Sequence, residues 1–373
     1  MPLRASNQCN VAILLLVLCP HVFATEQVTS YSNHLDLLHY LDEKGAKQPV
    51  RTAADWAHRR AHVLQNMQLV TGPLPDRSRA VPLDVKVEAE ERIGTLLRRK
   101  LTFRSEPDDR VPAHLFIPPL KENEKAPAFL CLHQTTKIGK AEPAGLGPKT
   151  NLQYALELAN RGYVTLAPDY PSFGDHPYDF AAHPQWRSGT MKAIWDNTRA
   201  IDLLQSLPQV DGNRIGAIGH SLGGHNAIFT AVFDDRIKAI VTSCGFTRFH
   251  KYYNGNLKGW TSDRYMPRIA SVYGNDPNKV PFDFPDLLAA IAPRAIFVNA
   301  PLHDANFEVS GVKDSITAAE HIYKLFDATD DLKAIYPDAA HDFPPNAREQ
   351  AYLFLDRHLL QEPRATNARP QRQ

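Results

Sequence analysis

The pattern that most limits the fold is an alternation of short apolar runs with longer amphipathic stretches, which begins after Lys125. The runs at 128–131, 164–167, 215–218, 237–241, 295–298 and 334–336 read as buried strands. The stretches at 151–160, 188–206, 314–327 and 346–360, and the one that follows Ser221, read as helices. In 188–206, Met191, Ile194, Trp195, Ile201, Leu203 and Leu204 repeat at helical spacing. Strands that are apolar throughout need cover on both faces, and strand–helix–strand repeats make parallel pairs. The expected fold class is therefore α/β, a mainly parallel central sheet with helices on both faces. A chain of 373 residues with 43% apolar side chains can bury such a core.

Other segments depart from this rhythm. Residues 25–80 are expected to form an N-terminal helical extension, its helix at 51–67 capped by Thr52 and stopped by Gly72-Pro73. Strands near 85–87, at 96–103 and at 112–117 follow, the last two joined by a turn at 106–109, as antiparallel strands at one sheet edge. The catalytic domain is expected over 81–360. Residues 246–290, rich in Tyr, Phe, Asn, Asp and Pro, form an insertion after the sixth strand (237–241, counting from 96–103) and read as a lid over the site. The polar tail at 361–373 is expected to be disordered.

The N-terminus reads as an export signal. Arg4 supplies the positive charge, 11–19 is an apolar run too short to span a bilayer, and Val22-Phe23-Ala24 ends in a small-residue cleavage site. Cleavage after residue 24 would give a secreted or periplasmic protein with no membrane span. It would leave two cysteines, Cys131 and Cys244, each ending an apolar run and read as buried free thiols. No CxxC or Cys/His cluster has zinc spacing, so neither metal nor cofactor is expected. Lys plus Arg number 42 and Asp plus Glu 41, a balance that gives no long-range attraction to nucleic acid or anionic membranes. The oligomeric state is left open.

Chemistry enters at Gly219-His220-Ser221-Leu222-Gly223, a G-x-S-x-G sequence between an apolar strand and an amphipathic helix. The glycines let strand and helix approach, the tight turn exposes the hydroxyl, and the helix N-terminus aims amides at developing negative charge. A nucleophilic serine needs a base and an orienting acid. His341 follows the last strand, where the base belongs; His303, its competitor, precedes that strand. Asp304 follows the strand at 295–298 and is the expected acid, while Asp342 adjoins His341 and should point away from it. The oxyanion donors are expected to be the Leu222 amide and an amide from His133-Gln134-Thr135-Thr136, at either Gln134 or Thr135.

At LHQTTKIGKAEPAGLG, LAPDYPSFGD, IGHSLGGH and the late Asp304 and His341, the chain resembles the α/β-hydrolase superfamily. Within it, the resemblance is to dienelactone-hydrolase-like and acetyl-xylan-esterase-like secreted bacterial esterases, over roughly 80–360. It implies the α/β-hydrolase fold and serine carboxylic-ester hydrolysis of acylated carbohydrate or small esters. Gln134 stands where many of these enzymes have glycine, and Ser221 replaces the cysteine usual in true dienelactone hydrolases. A prolyl-oligopeptidase-like peptidase and a non-catalytic binding protein on the same scaffold are the alternatives. His225, Trp186 and Trp260 are candidate substrate contacts. Trp195 reads as core, Lys137 and Lys140 as a solvated loop, and Asp169-Tyr170 as structural support.

Overall fold

Strand residues alternate between two cores. In the computed structural model, which describes residues 29–360, Ala128, Leu130 and Leu132 face one hydrophobic cluster, while Phe129 and Cys131 face another. The expected signal peptide at 1–24 and the expected tail at 361–373 lie outside the described residues.

The chain begins with a small antiparallel hairpin, β1 (His39–Leu41) and β2 (Lys47–Pro49), absent from the helical reading of 25–80. Helix α1 (Ala53–Thr71) follows, with Thr52 and Asp55 forming a reciprocal capping box. It runs past the expected end at 67 because Val70 and Thr71 are also buried. β3 (Lys86–Ile93), β4 (Leu96–Glu106) and β5 (Asp109–Ile117) form the antiparallel edge. Then come β6 (Ala126–Leu132), α2 (Tyr154–Asn160), β7 (Val164–Pro168), α3 (Gly189–Ser206), β8 (Val210–His220), α4 (Leu222–Phe233) and β9 (Ile237–Ser243). After an irregular stretch holding α5 (Arg268–Ser271), the chain closes with α6 (Phe284–Ile291), β10 (Ala295–Asn299), α7 (Val309–Leu325), β11 (Leu332–Ile335) and α8 (Pro345–Leu359).

The nine-stranded sheet has the order β11-β10-β9-β8-β6-β7-β5-β4-β3 and is parallel from β11 to β7. Helices α2 and α8 cover one face and α3, α4, α6 and α7 the other. From β6 the chain passes to β7 on one side and then returns to β8 on the other. Loops leaving the carboxyl ends of β6 and β8 therefore diverge and open a crevice. Helix α6, which the sequence reading included in the 246–290 insertion, is a regular covering helix: Phe284, Leu287, Leu288 and Ile291 are buried in the larger core. Cys131 and Cys244 are buried free thiols. No helix among the described residues is long and apolar enough to cross a membrane.

Candidate active site

Ser221 sits between β8 and α4 with φ 55° and ψ −118°. This left-handed backbone is rare for a residue with a side chain and is held by its surroundings. The Ser221 N–H donates to Ser243 O at 2.8 Å, and the Gly224 N–H donates to Ser221 O at 2.9 Å. The flanking glycines are sterically required. A Cβ on Gly219 would lie 2.2 Å from Gly223 O, and one on Gly223 would lie 1.9 Å from Leu132 O. Both neighbours are backbone and cannot swing aside. Leu222 opens α4, so its amide lies in the helical turn that lacks intrahelical acceptors.

His341 lies in the loop between β11 and α8, and Asp304 in the loop after β10. The His341 Nδ1 is 2.9 Å from both carboxylate oxygens of Asp304. Asp304 is itself held by the Asn306 and Phe307 amides, which donate to Oδ1 at 2.8 and 3.1 Å. Facing a carboxylate, Nδ1 carries the proton and Nε2 is left as the basic nitrogen. The ring rests edge-on against His220, with centroids 4.8 Å apart. Burial, then the neighbouring His341, holds His220 well below the usual histidine range, so it adds no charge beside His341. Asp342 points elsewhere and accepts from Asn151 Nδ2 at 2.7 Å. His303 pairs with the exposed Asp338 at 2.8 Å.

Ser221, Leu222, Thr135 and His225 share a cavity of about 150 Å³ walled by Tyr252, Trp260, Tyr265 and Phe307. No carboxylate, lysine or arginine lines it. Tyr252, Trp260 and Tyr265 come from the irregular stretch between β9 and α6, so that stretch covers Ser221. His225 is held neutral by burial, its pKa pushed down to about 3. Gln134 is buried, and its side-chain amide donates to Glu142 Oε2 at 3.1 Å.

Two expectations fail. Trp186 takes no part in this cavity: its indole N–H donates to Glu106 at 3.0 Å, and it lines a separate hollow of about 380 Å³ with Pro73 and Pro75. Lys140 is not solvated. It is buried, with Nζ 2.6 Å from Asp169 and 2.8 Å from Asp175, and so ties the loop after β6 to the loop after β7. Tyr252, Tyr265 and Phe307 went unnoticed in the sequence. Their only signal is the aromatic richness of the insertion and, for Phe307, its nearness to Asp304.

Among the described residues two clusters have metal-ligating side chains, His220/Cys244/His341 and Asp109/His176/Asp196. In the first, His341 Nδ1 is engaged by Asp304 and His220 Nδ1 is 2.9 Å from Ser243 Oγ. In the second an internal cation already fills the centre: Lys192 Nζ lies 2.6 Å from Asp109 and 2.5 Å from Asp196.

The family described as glucuronyl esterase, fungi, matches residues 178–327. Among curated proteins, YtaP of Bacillus subtilis (strain 168), a protein named as a hydrolase, is 28% identical over 317 residues. That match covers 80% of this chain and 100% of YtaP. The 4-O-methyl-glucuronoyl methylesterase of Hypocrea jecorina (strain QM6a) is 27% identical over 194 residues, covering 46% of this chain and 41% of that protein. Among solved structures, the glucuronoyl esterase from Solibacter usitatus superposes with a TM-score of 0.69 at 21% identity, covering 86% of this chain and 96% of that one. The shared architecture is the α/β-hydrolase fold.

Proposed function

From an α/β-hydrolase fold whose carboxyl-edge loops bring Asp304 to His341, we propose that the protein is an exported serine hydrolase of carboxylic esters, acting on ester groups of carbohydrates. The observation that carries this reading is the His341 Nδ1 to Asp304 contact at 2.9 Å, made by loops at the sheet edge that also bears the strained Ser221 turn. The likeness to glucuronyl and glucuronoyl esterases supports the ester and carbohydrate parts. The uncharged, aromatic cavity favours a neutral acyl group small enough for about 150 Å³.

In this mechanism Ser221 Oγ attacks the ester carbonyl while His341 Nε2 takes its proton. The Leu222 amide and a second amide from the loop after β6 receive the oxyanion. Collapse expels the alcohol, which takes the proton from His341. Water, deprotonated by the same nitrogen, then attacks the acyl-enzyme and releases the acid. Asp304 holds the ring and stabilises its charged form without taking the proton.

Ser221→Ala should keep the fold and lose at least about 10⁴-fold in turnover of an activated acetyl ester. A fluorophosphonate probe should label only the wild type. A folded Ser221→Ala protein with normal turnover would falsify the serine mechanism. Acetylated sugars, uronate methyl esters, aryl esters and aminoacyl amides, run side by side, would separate esterase from peptidase activity. Export is tested separately: the mature chain should begin near Thr25 by mass spectrometry, and an intact Met1 on exported protein excludes a cleaved signal.

A further inference from the structure

The second oxyanion donor can be assigned from the directions of two consecutive peptide planes. In a trans peptide the C=O and the N–H point to opposite sides. The described residues hold one cis bond, Ala292-Pro293, so both planes around Gln134 are trans. The His133 carbonyl faces the nucleophile turn: a Cβ on Gly223 would lie 2.9 Å from His133 O. The Gln134 N–H, on the far side of that plane, therefore points away from the turn. The next carbonyl, Gln134 O, is held by the His133 ring, whose Nδ1 lies 2.6 Å away. The Thr135 N–H thus leaves its plane on the side opposite the ring, and Thr135 is in the wall of the Ser221 cavity.

The tautomer follows from the partners of the ring. The Tyr170 N–H donates to His133 Nε2 at 2.9 Å, so Nε2 bears the lone pair and Nδ1 the proton. His133 is buried, which holds it neutral and preserves this arrangement. It therefore ties the Gln134–Thr135 peptide to the loop after β7 and, by holding its C=O, sets the direction of its N–H.

We infer that Thr135 rather than Gln134 supplies the second oxyanion donor, and that His133 is the positioning residue that turns the Thr135 N–H toward the ester carbonyl oxygen. This rests on the serine-esterase reading above.

The test compares three variants of the full chain with an activated acetyl ester and with a boronic acid that mimics the tetrahedral intermediate. His133→Leu should lower kcat by about 10²-fold with KM little changed, and weaken the boronic acid by a similar factor. His133→Asn places an amide N–H near the position of Nδ1 and should recover most of kcat. His133→Gln reaches the position of Nε2, where it can accept from Tyr170 but leaves Gln134 O without its donor, and should stay slow. If His133 serves only to tie down the Tyr170 loop, the order reverses: Gln rescues and Asn does not. That reversal, or a loss in His133→Leu confined to KM, overturns the inference while Ser221-dependent turnover of the wild type still stands. Wild type without Ser221-dependent turnover overturns the esterase reading and this assignment with it. Should His133→Leu fail to fold, the Asn and Gln pair decides alone, since each keeps one of the two bonds.

Discussion

Asp304 and Asp342 are two carboxylates that the sequence offers to His341, and backbone direction separates them. Asp342 follows His341 directly, so their side chains diverge, and its carboxylate accepts from Asn151 at 2.7 Å. Asp304 arrives from another loop, fixed by two main-chain amides at 2.8 and 3.1 Å, with both oxygens 2.9 Å from Nδ1. Replacing it with the isosteric amide allows donation toward Nδ1 and favours the tautomer whose Nε2 is protonated. No base would then face Ser221. Asp304→Asn should therefore reduce kcat by about 10⁴-fold, with substrate binding little changed. Asp342→Asn loses only an outward contact and should keep most of its activity. Both variants can be assayed with an activated acetyl ester at neutral pH after circular dichroism. A crippled Asp342→Asn beside a normal Asp304→Asn would show that the acid has been misassigned.

Between elements, one pH-sensitive join fastens the N-terminal segment and α1 to α6. Asp286, in the first turn of α6, lies 2.5 Å from His34 Nδ1 and 3.0 Å from Arg59. The other His34 nitrogen is 3.2 Å from Val280 O, so both ring nitrogens face acceptors and the imidazolium form suits the site. Burial opposes that charge, but Asp286, with Asp283 and the Val280 carbonyl behind it, outweighs burial and raises the His34 pKa above the ordinary value. Asp283, also facing this join, is pushed up to about 6 by burial. A histidine raised in the folded state contributes stability that is complete below its unfolded pKa and fades as pH rises through the folded one. Asp283 acts in the same direction, because the folded state binds its proton more tightly than the unfolded chain. Asp286 is lowered despite burial, through His34 and Arg59, and its share disappears only in acid below the ordinary carboxylate range. His34→Leu should thus cost about 3 kcal/mol at pH of about 5.5, and clearly less at about 8.5. Urea unfolding at the two pH values reads this difference. A penalty that grows toward alkaline pH would contradict the charged-histidine account.

For the molecule as a whole, function depends on strand order. Strands β6, β8, β10 and β11 run parallel, so the loops bearing Thr135, Ser221, Asp304 and His341 all leave from the same edge of the sheet. Much of this was legible in the chain. Apolar periodicity, the glycine spacing around Ser221 and the order Ser221, Asp304, His341 are local or ordinal properties, present before the chain folds. Even the lateral escape of Asp342 follows from adjacency. Other features depend on residues far apart in sequence. Trp186 and Trp260 look alike as loop tryptophans, yet the first is occupied by Glu106, 80 positions away, and the second walls the cavity. Lys140 looks like a loop lysine until folding sets Asp169 beside it. The proposed choice of Thr135 over Gln134 turns on which way a peptide plane faces, and the groups beside that plane are Gly223 and, through His133, the Tyr170 amide. The sequence by itself determined the α/β rhythm and the tight turn at Ser221, because both follow from near-neighbour chemistry. Only the tertiary structure decided which polar groups are already partnered and which remain free to meet a substrate, because that depends on contacts the chain makes only once it has closed.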